Sequence, residues 1–378
     1  MLLGLAIAGG VAYCNAVASA QLAAQYPTSG GTYVYGRERL GEWWGFVAGW
    51  GFVIGKTASC AAMALTFASY AVGGSLWADR VVAAAAVIVL TAANYRGISR
   101  TAEAARVLVG ISILALVVVV LAIATSGPSH DVIGSSSFGT YGVLQSAGLL
   151  FFAFAGYARI ATLGEEVKNP QVTIPRAVPI ALGIALVLYF AVGVAALAGA
   201  GPEALARSAR PLATAVDAAG AEWALPVVRI GAAVASLGAL LALIAGVGRT
   251  TLAMARNNDL PAWLSSVHPR HRVPDHAELL IGAAVVALVL TTDLRNAIGF
   301  SSFGVLIYYA IANASAYTQP HGWRRWPRGL NVVGLVACLV LVVTLPWSAI
   351  AVGVGVIAVG LAGRALAMRR RRAGVKAG

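Results

Sequence analysis

Charge is scarce in this 378-residue chain. Only 11% of its residues are Asp, Glu, Lys or Arg, less than half the roughly 25% usual in soluble domains, which argues against a water-soluble enzyme. Acid is scarcer still, with 14 Asp+Glu against 27 Lys+Arg and a net charge of +13. The three cysteines, Cys14, Cys60 and Cys338, lie in apolar runs without the spacing of a disulfide scaffold or a zinc site. All five histidines fall in connecting segments. No span therefore gathers the His, Asp and Glu that a membrane-embedded enzyme needs, and none supplies the ring of like charges of a channel filter. A Gly-x-x-x-x-Gly-Lys-Ser/Thr motif is missing, which excludes ATP hydrolysis of the P-loop kind. The first apolar run leads into Gln-Leu-Ala-Ala-Gln-Tyr-Pro rather than a small-residue cleavage site, so it does not read as a secretory signal.

What remains is apolar: 59% hydrophobic residues and a mean hydropathy of +0.81. The fold class is an all-α polytopic membrane protein, because apolar stretches near 20 residues match the bilayer core. Eleven runs are legible, at about 1–25, 43–74, 81–95, 107–125, 143–163, 177–200, 226–248, 277–292, 297–318, 330–345 and 347–363. Their short connectors leave no room for a second domain. Residues 1–363 form one transmembrane domain and 364–378 a basic tail. The second run would be a helix of ~48 Å, longer than the hydrocarbon core, and is expected to tilt. Of the 27 basic residues, 20 fall in alternate loops and the tail, and only Arg80, Arg207, Arg210 and Arg295 in the opposite loops. Lys56, Arg159 and Arg229 lie in or beside runs. That asymmetry predicts a multi-pass protein of the cytoplasmic membrane with its C-terminus inside. It also explains the basic excess without a nucleic-acid partner; Arg369–Arg372 read as a topology anchor rather than a lipid site. Eleven spans would put the N-terminus outside with no basic flank, which a further span upstream of Met1 would repair.

The segment richest in chemistry is Phe151-Phe-Ala-Phe-Ala-Gly-Tyr-Ala-Arg-Ile-Ala-Thr-Leu-Gly-Glu-Glu-Val-Lys-Asn-Pro170. Gly156 in an aromatic span permits unwinding, and bare backbone at membrane depth is tolerated only where it lines a cavity or binds something. The plainer role of such a glycine is close helix packing. This run resembles the sixth span and following loop of the amino acid–polyamine–organocation (APC) permeases. Residues 161–171 are similar to the bacterial and cationic amino acid transporter branch. Gln21–Tyr35 and Leu40–Trp50 resemble the end of that family's second span, its cytoplasmic re-entrant loop and the start of its long third span. Arg249–Trp263 resembles, more loosely, the cytoplasmic end of the eighth.

The resemblance implies two inverted five-helix repeats plus two helices, as in leucine-transporter-like folds, with these eleven spans matching the second to the twelfth. The family's first span, whose unwound glycine-rich segment holds the substrate carboxylate, has no counterpart before Leu22. A start assigned too far downstream is the expectation, or else an inactive truncated transporter. The resemblance also implies that an amino acid substrate contacts Phe154, Ala155, Gly156 and Tyr157, with Phe151 as an aromatic lid, or otherwise as lipid contact or core.

Lys56 is the sharpest anomaly. It lies 13 residues into its run from Trp43, ~20 Å along a helix, where a cation is costly and usually marks a pathway or coupling group. Snorkelling is the alternative. Lys56, Cys60 and Met63 share a stripe by i, i+4, i+7 spacing, and in related permeases this part of the third span faces substrate. A lysine that can lose its proton would replace a coupling cation, and it disfavours a cationic substrate. Two departures from the family stand out. Tyr157 and Ala158 follow Gly156 where some relatives carry a carboxylate, and the region near Ser112 lacks the fifth-span lysine of some proton-coupled relatives. Arg159 is assigned to pairing with Glu165 or Glu166. Ser236 is a candidate ion or substrate ligand, with helix packing as its plainer role. His268, His271 and His276 are too scattered for a metal site. The function expected is secondary active transport of amino acids by alternating access, coupled to protons or to a counter-transported amino acid, without cofactor or metal. A polyamine or amine permease is the rival.

Overall fold

A computed structural model describes the chain except for residues 29, 98–101, 128–129, 131–138, 158–166 and 377–378, and except for the side chains of 102–105, 157 and 370–376. The described residues form thirteen α-helices. They are α1 (Leu2–Gln25), α2 (Thr32–Leu40), α3 (Glu42–Ala71), α4 (Leu76–Tyr95), α5 (Ala102–Ser126), α6 (Thr140–Phe154), α7 (Pro170–Arg207), α8 (Pro211–Ala218), α9 (Leu225–Arg256), α10 (Asp275–Thr291), α11 (Leu294–Tyr317), α12 (Arg328–Thr344) and α13 (Trp347–Lys376). Each of the eleven apolar runs has become one helix. Eight are long and apolar enough to cross a membrane. The other three, α6, α10 and α12, have 15, 17 and 17 residues. The chain is thus an all-α polytopic membrane protein.

The helix ends follow local chemistry. Ser75 accepts the Ala78 N–H to open α4, and Asp293 accepts the Asn296 N–H at 2.7 Å to open α11. Proline stands in the first turn of α7, α8 and α9, where its missing N–H has no helical partner to lose. α7 kinks at Gly201, whose φ of 70° and ψ of 166° suit a residue without Cβ, just ahead of Pro202. α2 and α8 are short helices that no apolar run announced.

Burial sorts the spans. In α11 and α3, 78% and 72% of the apolar stretch is buried, and in α1 67%, whereas α4, α5, α7 and α13 bury about a fifth, from 17% to 22%. Three inner helices are therefore wrapped by outer helices with lipid-facing sides. The inner pair meets backbone to backbone. A Cβ on Gly304 of α11 would stand 2.6 Å from the Gly51 carbonyl oxygen, and one on Gly55 would stand 3.1 Å from that of Ser301. Gly51-x-x-x-Gly55 is thus the small-residue ridge that lets α3 and α11 touch. Just beyond it the Ser59 and Ser301 hydroxyls share a hydrogen bond of 2.6 Å.

Candidate functional site

α6 ends at Phe154, in the middle of the run that composition would carry to residue 163. Ala155 turns out of the helix (φ −70°, ψ 2°) and a short 3₁₀ turn covers Ala155–Tyr157. A helix that stops inside the membrane exposes its last carbonyls, and each must find a donor. Two side chains supply them. The Lys56 ammonium donates to the Ala155 carbonyl at 2.8 Å, and the Tyr189 hydroxyl on α7 donates to the Ala153 carbonyl at 2.8 Å. Lys56 sits 14 residues after Glu42, ~21 Å along α3, and is only 4% exposed. It is therefore no snorkelling residue: its charge stays inside, at the negative end of a broken helix, where a cation is favoured. No carboxylate pairs with it among the described residues. An ammonium has three N–H donors, and Ala155 takes one.

Aromatic rings frame the break. Phe151 is fully buried and meets Tyr309 of α11 edge-on at 5.8 Å, so it faces the protein and not lipid. Phe154 meets Tyr189 at 5.1 Å. Phe151, Phe154 and Ala155 share one apolar cluster with α1 and α11 residues. Gly156 is exposed, and a Cβ there would meet no described atom within 4 Å. Tyr157 ends the 3₁₀ turn. Cys60 and Met63 lie farther along α3 and pack into a second apolar cluster, with residues of α4, α9 and α10. Ser236 is buried on α9. Arg159, Glu165 and Glu166 lie outside the described residues, as do residues 161–166 of the motif.

Sequence reasoning missed Tyr189 and Tyr309, since a lone tyrosine in an apolar run carries no signal of what it meets. It also missed a buried amide pair, in which Asn313 of α11 donates to Asn15 of α1 at 2.6 Å and Cys338 of α12 donates to the same Asn15 oxygen at 3.3 Å. A third omission lies at the far end of α9. Asp259 accepts from Tyr33 (2.8 Å), Arg37 (3.2 Å) and Arg364 (2.7 Å), while Glu42 pairs with both arginines. Loss of water and the Asp259 acceptor hold the Tyr33 phenol well above its usual pKa. Arg364, counted above with the basic tail, is instead buried in this cluster, with its guanidinium 4.4 Å from the Trp43 ring centre.

Residues 1–365 match the family model described as "Amino acid permease". The chain is 57% identical over 380 residues to an uncharacterized transporter of Mycobacterium tuberculosis, covering 98% of this chain and 85% of that one. It is 25% identical over 362 residues to the branched-chain amino acid permease BcaP of Bacillus subtilis, covering 88% and 78%. Against the chloroplastic cationic amino acid transporter 7 of Arabidopsis thaliana it is 28% identical over 380 residues, covering 90% and 64%. A polytopic helical chain, with a helix that ends beside a buried lysine and a family match along nearly its whole length, is a transporter that belongs to the amino acid permeases of the APC superfamily.

Proposed function

We propose that this permease carries neutral amino acids across the cytoplasmic membrane by alternating access around the break in α6. The observation that carries the reading is the Lys56–Ala155 hydrogen bond, a buried cation with spare donors at the 3₁₀ turn that ends α6. A zwitterionic substrate offers a carboxylate to those donors, whereas a second cation there meets repulsion at close range in a medium of low dielectric. Phe151, Phe154, Ala155, Gly156 and Tyr157 form the α6 side of the site, and Lys56 the α3 side, while Cys60 and Met63 pack away from it. Lys56 doubles as the coupling group, with Ser236 as an auxiliary ligand. Proton transfer to and from Lys56 makes and releases its hold on the break, and so links the break to a proton gradient or to an exchanged amino acid. The two five-helix repeats are inverted, residues 1–363 act as one transport domain, and the C-terminal tail from 364 is cytoplasmic. Supporting that orientation, Arg37 and Arg364 meet at Asp259, as residues on one side of the membrane should.

The test is uptake of radiolabelled leucine, alanine, arginine and putrescine into proteoliposomes holding the chain, with and without an inward proton gradient. Leucine or alanine uptake above arginine and putrescine supports the reading. Preference for arginine or putrescine contradicts the neutral-substrate assignment, and uptake of none of the four overturns it.

A further inference from the structure

Away from the break, α4 and α10 enclose a groove of about 630 Å³ on an outer flank of the bundle. Its walls are aliphatic and include Ile88, Ala92, Leu279 and Val286, of which Ile88 and Leu279 are exposed by 59% and 51%. Aliphatic exposure of that kind is ordinary on a surface facing lipid tails. Two further features are not ordinary.

The first is a stranded hydroxyl. Thr91 lines the groove, is 7% exposed, and its Oγ1 has no hydrogen-bond partner. Several other hydroxyls return to the carbonyl four residues back, as Thr291 of α10 does to Ala287 and Thr57 of α3 to Val53. Thr91 instead packs directly on Gly282 of α10, where a Cβ would stand 2.7 Å from its Oγ1, so the hydroxyl is uncovered only when the two helices part. A buried donor without a partner in an apolar setting is costly unless something comes to meet it.

The second is unpaired positive charge at one mouth of the groove. Arg96 lines it one residue beyond α4 and has no ion pair among the described residues. Gly97 lies against the His271 backbone. Tyr95 stacks near His268 and His271 at 5.2 and 6.4 Å. Partial loss of water, then the charges of His268, Arg270 and Arg96, hold the half-buried His271 imidazole below its ordinary pKa. The mouth is thus basic enough to discourage a further proton.

The geometry points to a site for one anionic phospholipid: an acyl chain in the α4–α10 groove, the phosphate at Arg96, and an ester carbonyl accepting the Thr91 hydroxyl once the chain parts the helices at Gly282. Thr91 and Arg96 are five residues apart, ~7.5 Å along a helix, which suits the few bonds between a phospholipid's phosphate and its acyl esters. The charge selects an anionic lipid over a zwitterionic one.

The test is native mass spectrometry of the full chain in detergent, titrated with palmitoyl-oleoyl phosphatidylglycerol or with the matching phosphatidylcholine. One phosphatidylglycerol should bind ahead of phosphatidylcholine. Arg96→Gln should weaken phosphatidylglycerol about five-fold, the loss of roughly one basic contact with an anionic lipid, and leave phosphatidylcholine unchanged. Ala92→Trp, which fills the groove from its wall, should abolish the preferred site. Should that variant not purify as a single species, Ala283→Trp and Arg96→Gln carry the test. Equal binding of the two lipids, or phosphatidylglycerol binding unaffected by Arg96→Gln, overturns the proposal. The readout is independent of transport.

Discussion

Replacing Lys56 by methionine keeps the length of the side chain and removes its charge and donors, so it separates the two roles a buried lysine can have. For stability the terms oppose each other. Loss of a hydrogen bond from a charged donor to the Ala155 carbonyl is worth about 1.5–3 kcal/mol, and loss of a cation at the end of a broken helix up to ~2 kcal/mol more. Against these, a lysine at mid-membrane depth carries an insertion penalty of about 2.5–3.5 kcal/mol, which methionine does not. Lys56→Met should therefore shift unfolding stability by no more than about 2.5 kcal/mol in either direction. Transport has no such compensation, because the break loses the contact that ties it to α3. A deficit of about 1.5–3 kcal/mol in holding the competent arrangement is roughly a 10- to 150-fold loss. Leucine uptake into proteoliposomes should fall at least about tenfold and lose its response to a proton gradient, while thermal unfolding in detergent moves little. Wild-type uptake with an unchanged pH profile would refute the reasoning. Unchanged uptake per folded molecule with a large fall in stability would make Lys56 a structural residue only.

Tyr189→Phe keeps the ring against Phe154 but leaves the Ala153 carbonyl without its donor. It should cost about 0.5–1.5 kcal/mol, read as a roughly 2- to 12-fold slower initial uptake; wild-type uptake would remove Tyr189 from the site. Gly304→Val forces a side chain against the Gly51 carbonyl and should destabilise by about 1–3 kcal/mol or more in thermal unfolding, since backbone yields less readily than side chains. An unshifted transition would mean that α3 and α11 do not touch there. Asp259→Asn leaves the buried Arg364 guanidinium with Glu42, at 3.4 Å, as its one carboxylate among the described residues and should cost about 3 kcal/mol, with Arg364→Met added to it restoring part of the loss. Additive losses in the double variant would show that the two side chains do not interact.

The helices were legible because lipid imposes a simple rule: apolar runs of sufficient length become spans, and eleven runs became eleven helices. Their ends were less so. α9 continues to Arg256, eight residues beyond its apolar run, because a helix carries its own hydrogen bonds into water. The break in α6 was legible from Gly156 and the family motif, and the depth of Lys56 from its position in a long run. Their meeting was not, since Lys56 and Ala155 are 99 residues apart and no periodicity links them. Periodicity grouped Cys60 and Met63 with Lys56 on one stripe, yet a helix inside a bundle has neighbours all round, and both side chains pack toward α4, α9 and α10. Arg364 read as a tail charge because a sequence does not show that Asp259 and Glu42 wait beside it.

The central claim is that the 3₁₀ turn at Gly156, where α6 ends, holds the substrate. A Cβ at that position would meet no described atom within 4 Å, and Gly156 is exposed, while the native Cys14, Cys60 and Cys338 are buried and should stay silent. Labelling of Gly156→Cys in proteoliposomes by a membrane-permeant maleimide, with rising concentrations of the amino acid the protein takes up, tests the claim directly. The account predicts that the transported neutral amino acid slows labelling in a saturable way and that arginine does not. Labelling at the same rate with and without a transported substrate would place the binding site elsewhere.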